Sequence, residues 1–308
     1  MRHFIDISMV EPENLRFMLD EAKRIKAARA PLKTRGTVDL QPLLADHTLG
    51  MIFEQPSTRT RLSFDMGIRQ MGGDSVVLNG QEMQLGRGES IADTARILSY
   101  FVDVIMLRSN DHQKIIELAQ TASVPVINGL TPHSHPCQIM ADIMTMEETF
   151  GNVEGLTVSW VGDGNNVANS FIEAAAQFKF KLRIAHPDGY APDTDVVLWA
   201  RGQGADICFF DTALAAVCGS DVVITDTWVS MSDNEDDDRF ASFLPFQVND
   251  ELMSNAADHA IFMHCLPAHR GEEVTSSVMD GPKSIVWREA ENRLHVQKSI
   301  LAWVLGAI

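Results

Sequence analysis

Short apolar runs alternate with stretches of helical period along almost all of the 308 residues. Parallel strands joined by crossover helices leave that imprint, and few other folds do. In a first stack, LGMIF (49–53), SVVLNG (75–80), VDVIMLR (102–108) and VPVING (124–129) read as strands, with helices near 60–71, 91–101 and 111–121 between them. Phe64, Ile68 and Met71 recur at i, i+4 and i+7, and Gly72-Gly73 supplies the helix stop. A second stack reads LTVSWVG (156–162), KLRIAHP (181–187), ADICFF (205–210), DVVITD (221–226), AIFMHCLP (260–267) and KSIVW (283–287) as strands. Between the stacks, Pro136 opens a long helix that ends near Gly151. The expected fold is therefore α/β: two doubly wound parallel-sheet domains joined by a bridging helix, with the C-terminal helix packing back on one of them. The expected division is 1–135 with 289–308, the bridge 136–150, and 151–288.

Charge narrows the ligand class. With 25 basic and 42 acidic residues the net charge is −17, so an anion must be held by a local arginine cluster within a repulsive field. Neither nucleic acid nor an anionic membrane is expected as a partner. No leader-like N-terminus and no apolar run of membrane-spanning length is present, so a cytoplasmic location is expected. The four cysteines have no CxxC spacing and are expected to be free thiols.

In open α/β sheets, ligands bind beyond the carboxyl ends of the strands. Each polar cluster of this sequence falls at such an end. Ser57-Thr58-Arg59-Thr60 follows a strand and opens a helix, where hydroxyls, backbone N–H groups and a guanidinium can converge on a tetrahedral oxyanion. The same residues fit an N-capped helix with a solvated arginine, and spacing alone leaves both readings open. Arg108 ends a strand, and Gln84 lies in the loop QEMQLGRGES. TPHSHPCQ brings His133, His135, Pro136, Cys137 and Gln138 to the start of the bridging helix, but neither these nor His264-Cys265 have a recognised ligand spacing, so no metal is expected. WVGDGNNVANS is an incomplete dinucleotide fingerprint, with Val167 where the third glycine belongs; Asn165 and Asn166 either face a small polar ligand or cap the helix. Asp226, at a strand end before Ser230 and Met231, is placed to meet an amino group, and HCLP ends another strand with Cys265 and Leu266.

STRTR, HPCQ, DTWVSM and HCLPAHRG, in that order and spread over the chain, give a sequence that resembles the aspartate/ornithine carbamoyltransferases. HPCQ, DTWVSM and HCLP place the resemblance on the ornithine side of that family. It implies a carbamoyl-phosphate domain followed by an ornithine domain, the active site in the cleft, and homotrimers in which a neighbouring subunit lends a loop. It also implies transfer of the carbamoyl group to the δ-amino group of ornithine in arginine biosynthesis, without a cofactor. Residue by residue, the resemblance assigns Ser57, Thr58, Arg59 and Thr60 to the phosphate and Arg108, His135 and Gln138 to the carbamoyl group. Gln84, Pro136, Cys137, Cys265, Leu266 and Arg293 complete that set, with Arg108, His135 and Cys265 as the catalytic members. Asn166, Asp226, Ser230 and Met231 fall to ornithine. Where the family carries SMG this sequence has SMS, with Ser232 in place of glycine. Other amines, such as putrescine or N-acetylornithine, and a nicotinamide-dependent oxidoreductase are the alternatives the residues leave.

Overall fold

The alternation resolves into two compact units in a computed structural model that describes residues 1–32, 34–80, 88–229 and 237–308. One unit comprises Met1–Met144 and Asn292–Ile308, the other Thr145–Glu291. Both carry parallel sheets only, as the apolar runs require.

In the first unit the order is α1 (Pro12–Arg29), β1 (Thr48–Phe53), α2 (Thr58–Gln70), β2 (Asp74–Asn79), α3 (Ile91–Leu98), β3 (Val104–Arg108), α4 (His112–Thr121), β4 (Val126–Leu130) and the start of α5 (Pro136–Phe150). The strands lie in the order β2-β1-β3-β4. Every residue of β3 is buried, which is why its sequence runs apolar without alternation from Val104 to Leu107 before Arg108 closes it. In α2, Phe64 and Ile68 are fully buried on the face that the period of four selects, each contributing about 1.5–3 kcal/mol of transfer free energy. The helix stops where expected: Gly72 has φ +89°, and a Cβ there would lie 2.8 Å from Pro42.

The second unit continues α5 with β5 (Thr157–Val161), α6 (Asn166–Phe178), β6 (Lys181–Ala185), α7 (Thr194–Gly202), β7 (Ile207–Phe210), α8 (Ala213–Val217) and β8 (Val222–Thr225). It then adds α9 (Asp237–Phe243), α10 (Asp250–Ser254), β9 (Ile261–His264), α11 (Ser276–Met279) and the start of α12 (Val286–Val304). Its sheet runs β7-β6-β5-β8-β9, reversing direction at β5. β5 and α6 lie in its interior, where Phe171, Ile172 and Trp160 pack with almost no exposure.

KSIVW is not a sixth strand of this sheet. Only an isolated bridge, Phe262 to Ser284, forms, and helix geometry begins at Val286. Val286 is buried while the adjacent Trp287 is exposed, so the apolar run is short because a helix's first turn, not a pleat, buries it.

In the first unit α12 buries two titratable side chains. Lys298 Nζ reaches Asp39 Oδ2 at 2.6 Å, and burial pulls its pKa down to about 8. Burial, then the charges of Lys26, Lys298, Arg29 and Arg35, take His295 from 6.5 down to about 3. The native chain thus keeps His295 neutral between those values, while the unfolded chain gains a proton below 6.5. Stability therefore falls as pH drops through that window. The urea midpoint is expected to decrease between pH 7.5 and pH 5, and His295→Gln to shrink that decrease; an equal decrease in both proteins refutes the assignment.

Candidate active site

Three adjacent strands end level with one another. Phe53 of β1 is paired with Arg108 of β3, and Arg108 with Leu130 of β4. The segments that leave these ends are the Ser57–Thr60 turn, Arg108 itself, and the loop that runs into His135 and Pro136. The sheet order alone thus gathers three of the predicted clusters in one place.

Ser57 occupies the N-cap position of α2, yet its hydroxyl makes no capping bond. It accepts from Arg108 Nη1 at 3.3 Å instead. The capped-helix alternative is therefore not what the serine does, and its side chain leaves the first-turn N–H groups to other acceptors. Thr60, buried one turn into the helix, accepts from Arg293 Nη2 of α12 at 2.7 Å. His135 is 4% exposed. Burial, then Arg293, Arg108 and Arg59 around it, hold its pKa well below the usual histidine value, so the imidazole is neutral at physiological pH. Neutral imidazole keeps one N–H donor without adding a fourth cation.

Pro136 is the first residue of α5, with Cys137 and Gln138 turned inward behind it. Gln138 Nε2 donates to Asp142 Oδ1 at 2.8 Å. The Cys137 thiol is directed at the Asn128 carbonyl at 3.3 Å, and burial pushes its pKa up to about 12. Such a thiol packs and does not ionise.

The second unit builds its own cluster at the ends of β5, β8 and β9. Asp226 follows β8 and accepts from three directions: Asn165 Nδ2 at 2.8 Å, the Thr227 N–H at 2.8 Å, and Cys265 Sγ at 3.0 Å. Asn165 also caps α6 through Val167 and Ala168, which resolves the open choice at Asn165 in favour of capping, and Asn166 is the first residue of the helix. His264 is fully buried: its Nδ1 accepts from the Leu266 N–H at 2.9 Å, so Nε2 carries the proton, facing Glu273 at 3.1 Å. Its backbone N–H donates to Glu289 at 2.9 Å. Leu266 is held at φ +60°, a left-handed conformation that costs a branched residue free energy and that surrounding contacts must impose.

Two supporting side chains escape a reading by motif. Arg239 Nη2 donates to Asp163 at 2.8 Å and its Nε to the Trp228 carbonyl at 2.6 Å, while the guanidinium stacks 4.8 Å from the Tyr190 ring. Glu54, just past β1, takes Lys114 at 2.7 Å and Ser109 at 2.7 Å, bracing the β1 and β3 ends. The only sequence signal of Glu54 is its position next to a strand end, and Arg239, inside α9, has none. Gln84, Ser230, Met231 and Ser232 lie outside the described residues.

The glycine turn after β5 does not suit a dinucleotide. A Cβ on Gly164 would lie 2.2 Å from Pro192 N, so the chain's own 191–192 backbone occupies the approach that a pyrophosphate uses in that fingerprint.

The carbamoyl-P binding domain of the aspartate/ornithine carbamoyltransferases matches residues 2–148, and their Asp/Orn binding domain matches residues 154–304. The chain belongs to the aspartate/ornithine carbamoyltransferase family. Among relatives, the ornithine carbamoyltransferase of Agrobacterium fabrum is 53% identical over 100% of this chain and 99% of its own. That of Rhodopseudomonas palustris is 55% identical over 100% and 97%. Among solved structures, the ornithine carbamoyltransferase from Pyrococcus furiosus superposes with a TM-score of 0.94 at 46% identity, covering 100% of this chain and 98% of that one. The anabolic ornithine carbamoyltransferase from Campylobacter jejuni gives 0.91 at 36%, with 99% of each chain covered. For a carbamoyltransferase of this family, the arginine-ringed histidine is the group whose protonation is checked most directly. In histidine-labelled NMR spectra His135 is expected to stay neutral below pH 6, and Arg108→Gln to raise its pKa; titration of His135 near 6.5 in the parent protein contradicts the assignment.

Proposed function

We propose that the enzyme transfers the carbamoyl group of carbamoyl phosphate to the δ-amino group of L-ornithine, releasing L-citrulline and phosphate. The observation that carries this reading is the neutral His135 inside the field of Arg59, Arg108 and Arg293, in a chain whose full-length relatives are named for this reaction.

In the proposed mechanism the phosphate group is held by Ser57, Thr58, Arg59 and Thr60 together with the first-turn N–H groups of α2. Gln84 and Arg293 belong to the same set, with Pro136 fixing the turn and Cys137 contributing packing. Arg108, His135 and the Thr60 hydroxyl donate to the carbamoyl oxygen, where negative charge develops as the tetrahedral intermediate forms. Gln138 aligns the carbamoyl nitrogen. The attacking amine resembles lysine, with an unperturbed pKa of about 10.4, and the arginine field favours its neutral form. The amine nitrogen bonds to the carbonyl carbon, the bond from that carbon to the phosphate oxygen breaks, and phosphate carries off the amine proton. Asn166, Asp226, Ser230 and Met231 bind the amino-acid end of ornithine, and Cys265 and Leu266 complete the carbamoyl-phosphate set, with the catalytic Cys265 thiol held against Asp226.

Three finer readings accompany the chemistry. The direction is biosynthetic, towards arginine, supported by the likeness to the anabolic Campylobacter enzyme. The location is cytoplasmic; no helix of the described residues is long and apolar enough to cross a membrane. The assembly is a homotrimer, supported by Ile97, Tyr100 and Phe101 at the end of α3, of which Tyr100 is 84% and Phe101 74% exposed.

A citrulline assay with ornithine, putrescine, N-acetylornithine and aspartate in parallel is expected to show turnover with ornithine alone. Arg108→Ala is expected to retain its melting temperature and lose roughly a hundredfold or more in kcat. A folded Arg108→Ala enzyme with near-normal kcat overturns the assignment, and faster turnover of another amine overturns the substrate. For Cys265→Ser, KM for ornithine is expected to rise; if KM and kcat both stay within about twofold, the thiol only fills space.

A further inference from the structure

Immediately before His135, the loop after β4 carries a histidine that the proposed reaction does not use. His133 stands beside His112, with ring centroids 4.6 Å apart. His112 Nε2 lies 3.3 Å from Asp6 Oδ2, and one ligand atom from each of Asp6, His112 and His133 falls within 4.8 Å of the others. These residues come from three segments of one unit: the N-terminal stretch that bridges to β4 at Phe4 and Ile127, the first turn of α4, and the 131–135 loop.

Two features distinguish this group from an ordinary ion pair. A charge-assisted N–H to carboxylate bond closes to about 2.7–2.9 Å, shorter than the 3.3 Å found here. Two ligands about 2.0–2.1 Å from a tetrahedral zinc ion are separated by about 3.3 Å. The outer partners also fit. His112 Nδ1 is 2.9 Å from the Thr131 hydroxyl, and donation there leaves the Nε2 lone pair facing Asp6. The other oxygen of Asp6, Oδ1, accepts from the Ser134 hydroxyl, which Asn128 Nδ2 holds in turn at 3.0 Å. Asp6 is 3% exposed, whereas His112 and His133 are half-buried, so an ion has a path from solvent to a carboxylate fixed at the bottom.

We propose that Asp6, His112 and His133 form a binding site for a divalent transition ion of the zinc class, with the fourth position left to water. Two imidazoles and one carboxylate are a donor set that zinc accepts. Coordination would draw the three ligand atoms, now within 4.8 Å of one another, to the spacing zinc requires. The bound ion ties the N-terminal segment and α4 to the loop that leads into His135.

The test uses the full chain carrying Cys265→Ser and His269→Gln, because Asp226, His264 and Cys265, and also His269, Glu272 and Glu273, are groups of the described residues whose ligand atoms lie within 4.8 Å of one another. After chelator treatment, zinc binding is measured by competition with a chromophoric chelator, and nitrogen shifts of labelled histidines are followed as zinc is added. The expected result is one zinc per chain, with the His112 and His133 resonances moving together. His133→Phe keeps the ring against His112 and removes the ligand, and is expected to weaken binding at least tenfold with the melting temperature of the zinc-free chain unchanged. Asp6→Asn serves as the second variant with the same expected loss. Absence of zinc binding at tens of micromolar, shifts confined to other histidines, or unchanged affinity in His133→Phe each overturn the site.

Discussion

The register of the first sheet is the constraint on which the rest depends. Arg108 is level with Phe53 on one side and with Leu130 on the other, so the guanidinium at the end of β3 sits between the turn that opens α2 and the loop that opens α5. A slip of one residue would turn Arg108 to the opposite face and break its contact with Ser57. The buried apolar runs of β1 and β3 make such a slip costly, so the core fixes the position of a charge it does not itself contain.

Burial first, and then the arginines gathered in this way, keep His135 neutral. A chain with a net charge of −17 thereby maintains a small region of positive potential, without a carboxylate among the groups that shift the histidine. The second unit uses the opposite device. Asp226 receives three donors, and His264 behind it has both ring nitrogens committed, to Leu266 and to Glu273. That imidazole is a strut rather than a proton carrier.

Elements with a strong apolar period were legible in the sequence: α2 with its glycine stop, the four strands of the first sheet, and the five of the second all follow the runs that suggested them. KSIVW misled because the apolar pair Ile285-Val286 looks like a short strand, although Ile285 is only partly buried and Val286 already opens the helix. At the site, residues at strand ends could be located, but their mutual geometry could not. Whether Ser57 caps its helix depends on Arg108, about fifty positions away. Asp6 is 128 residues from Ser134, which orients it, and nothing local marks either as a partner. Arg239 was hidden for the same reason, its contacts with Asp163, Trp228 and Tyr190 being set only by folding.

The close approach at Gly164 bears on how this scaffold can change. The segment that crosses the glycine is held by the Gly164 N–H to the Tyr190 carbonyl at 2.9 Å and by Asn169 to the Asp193 N–H at 3.0 Å, and Tyr190 also carries the Arg239 stack. A nucleotide-binding turn would require this crossing segment to be removed, and with it the brace under residues 226–229. Trimming a side chain does not open that space, because backbone atoms of residues 191–192 fill it. The turn after β5 keeps the outward form of a dinucleotide site, but the route to that ligand class runs through deletion of the crossing segment and of the brace it carries.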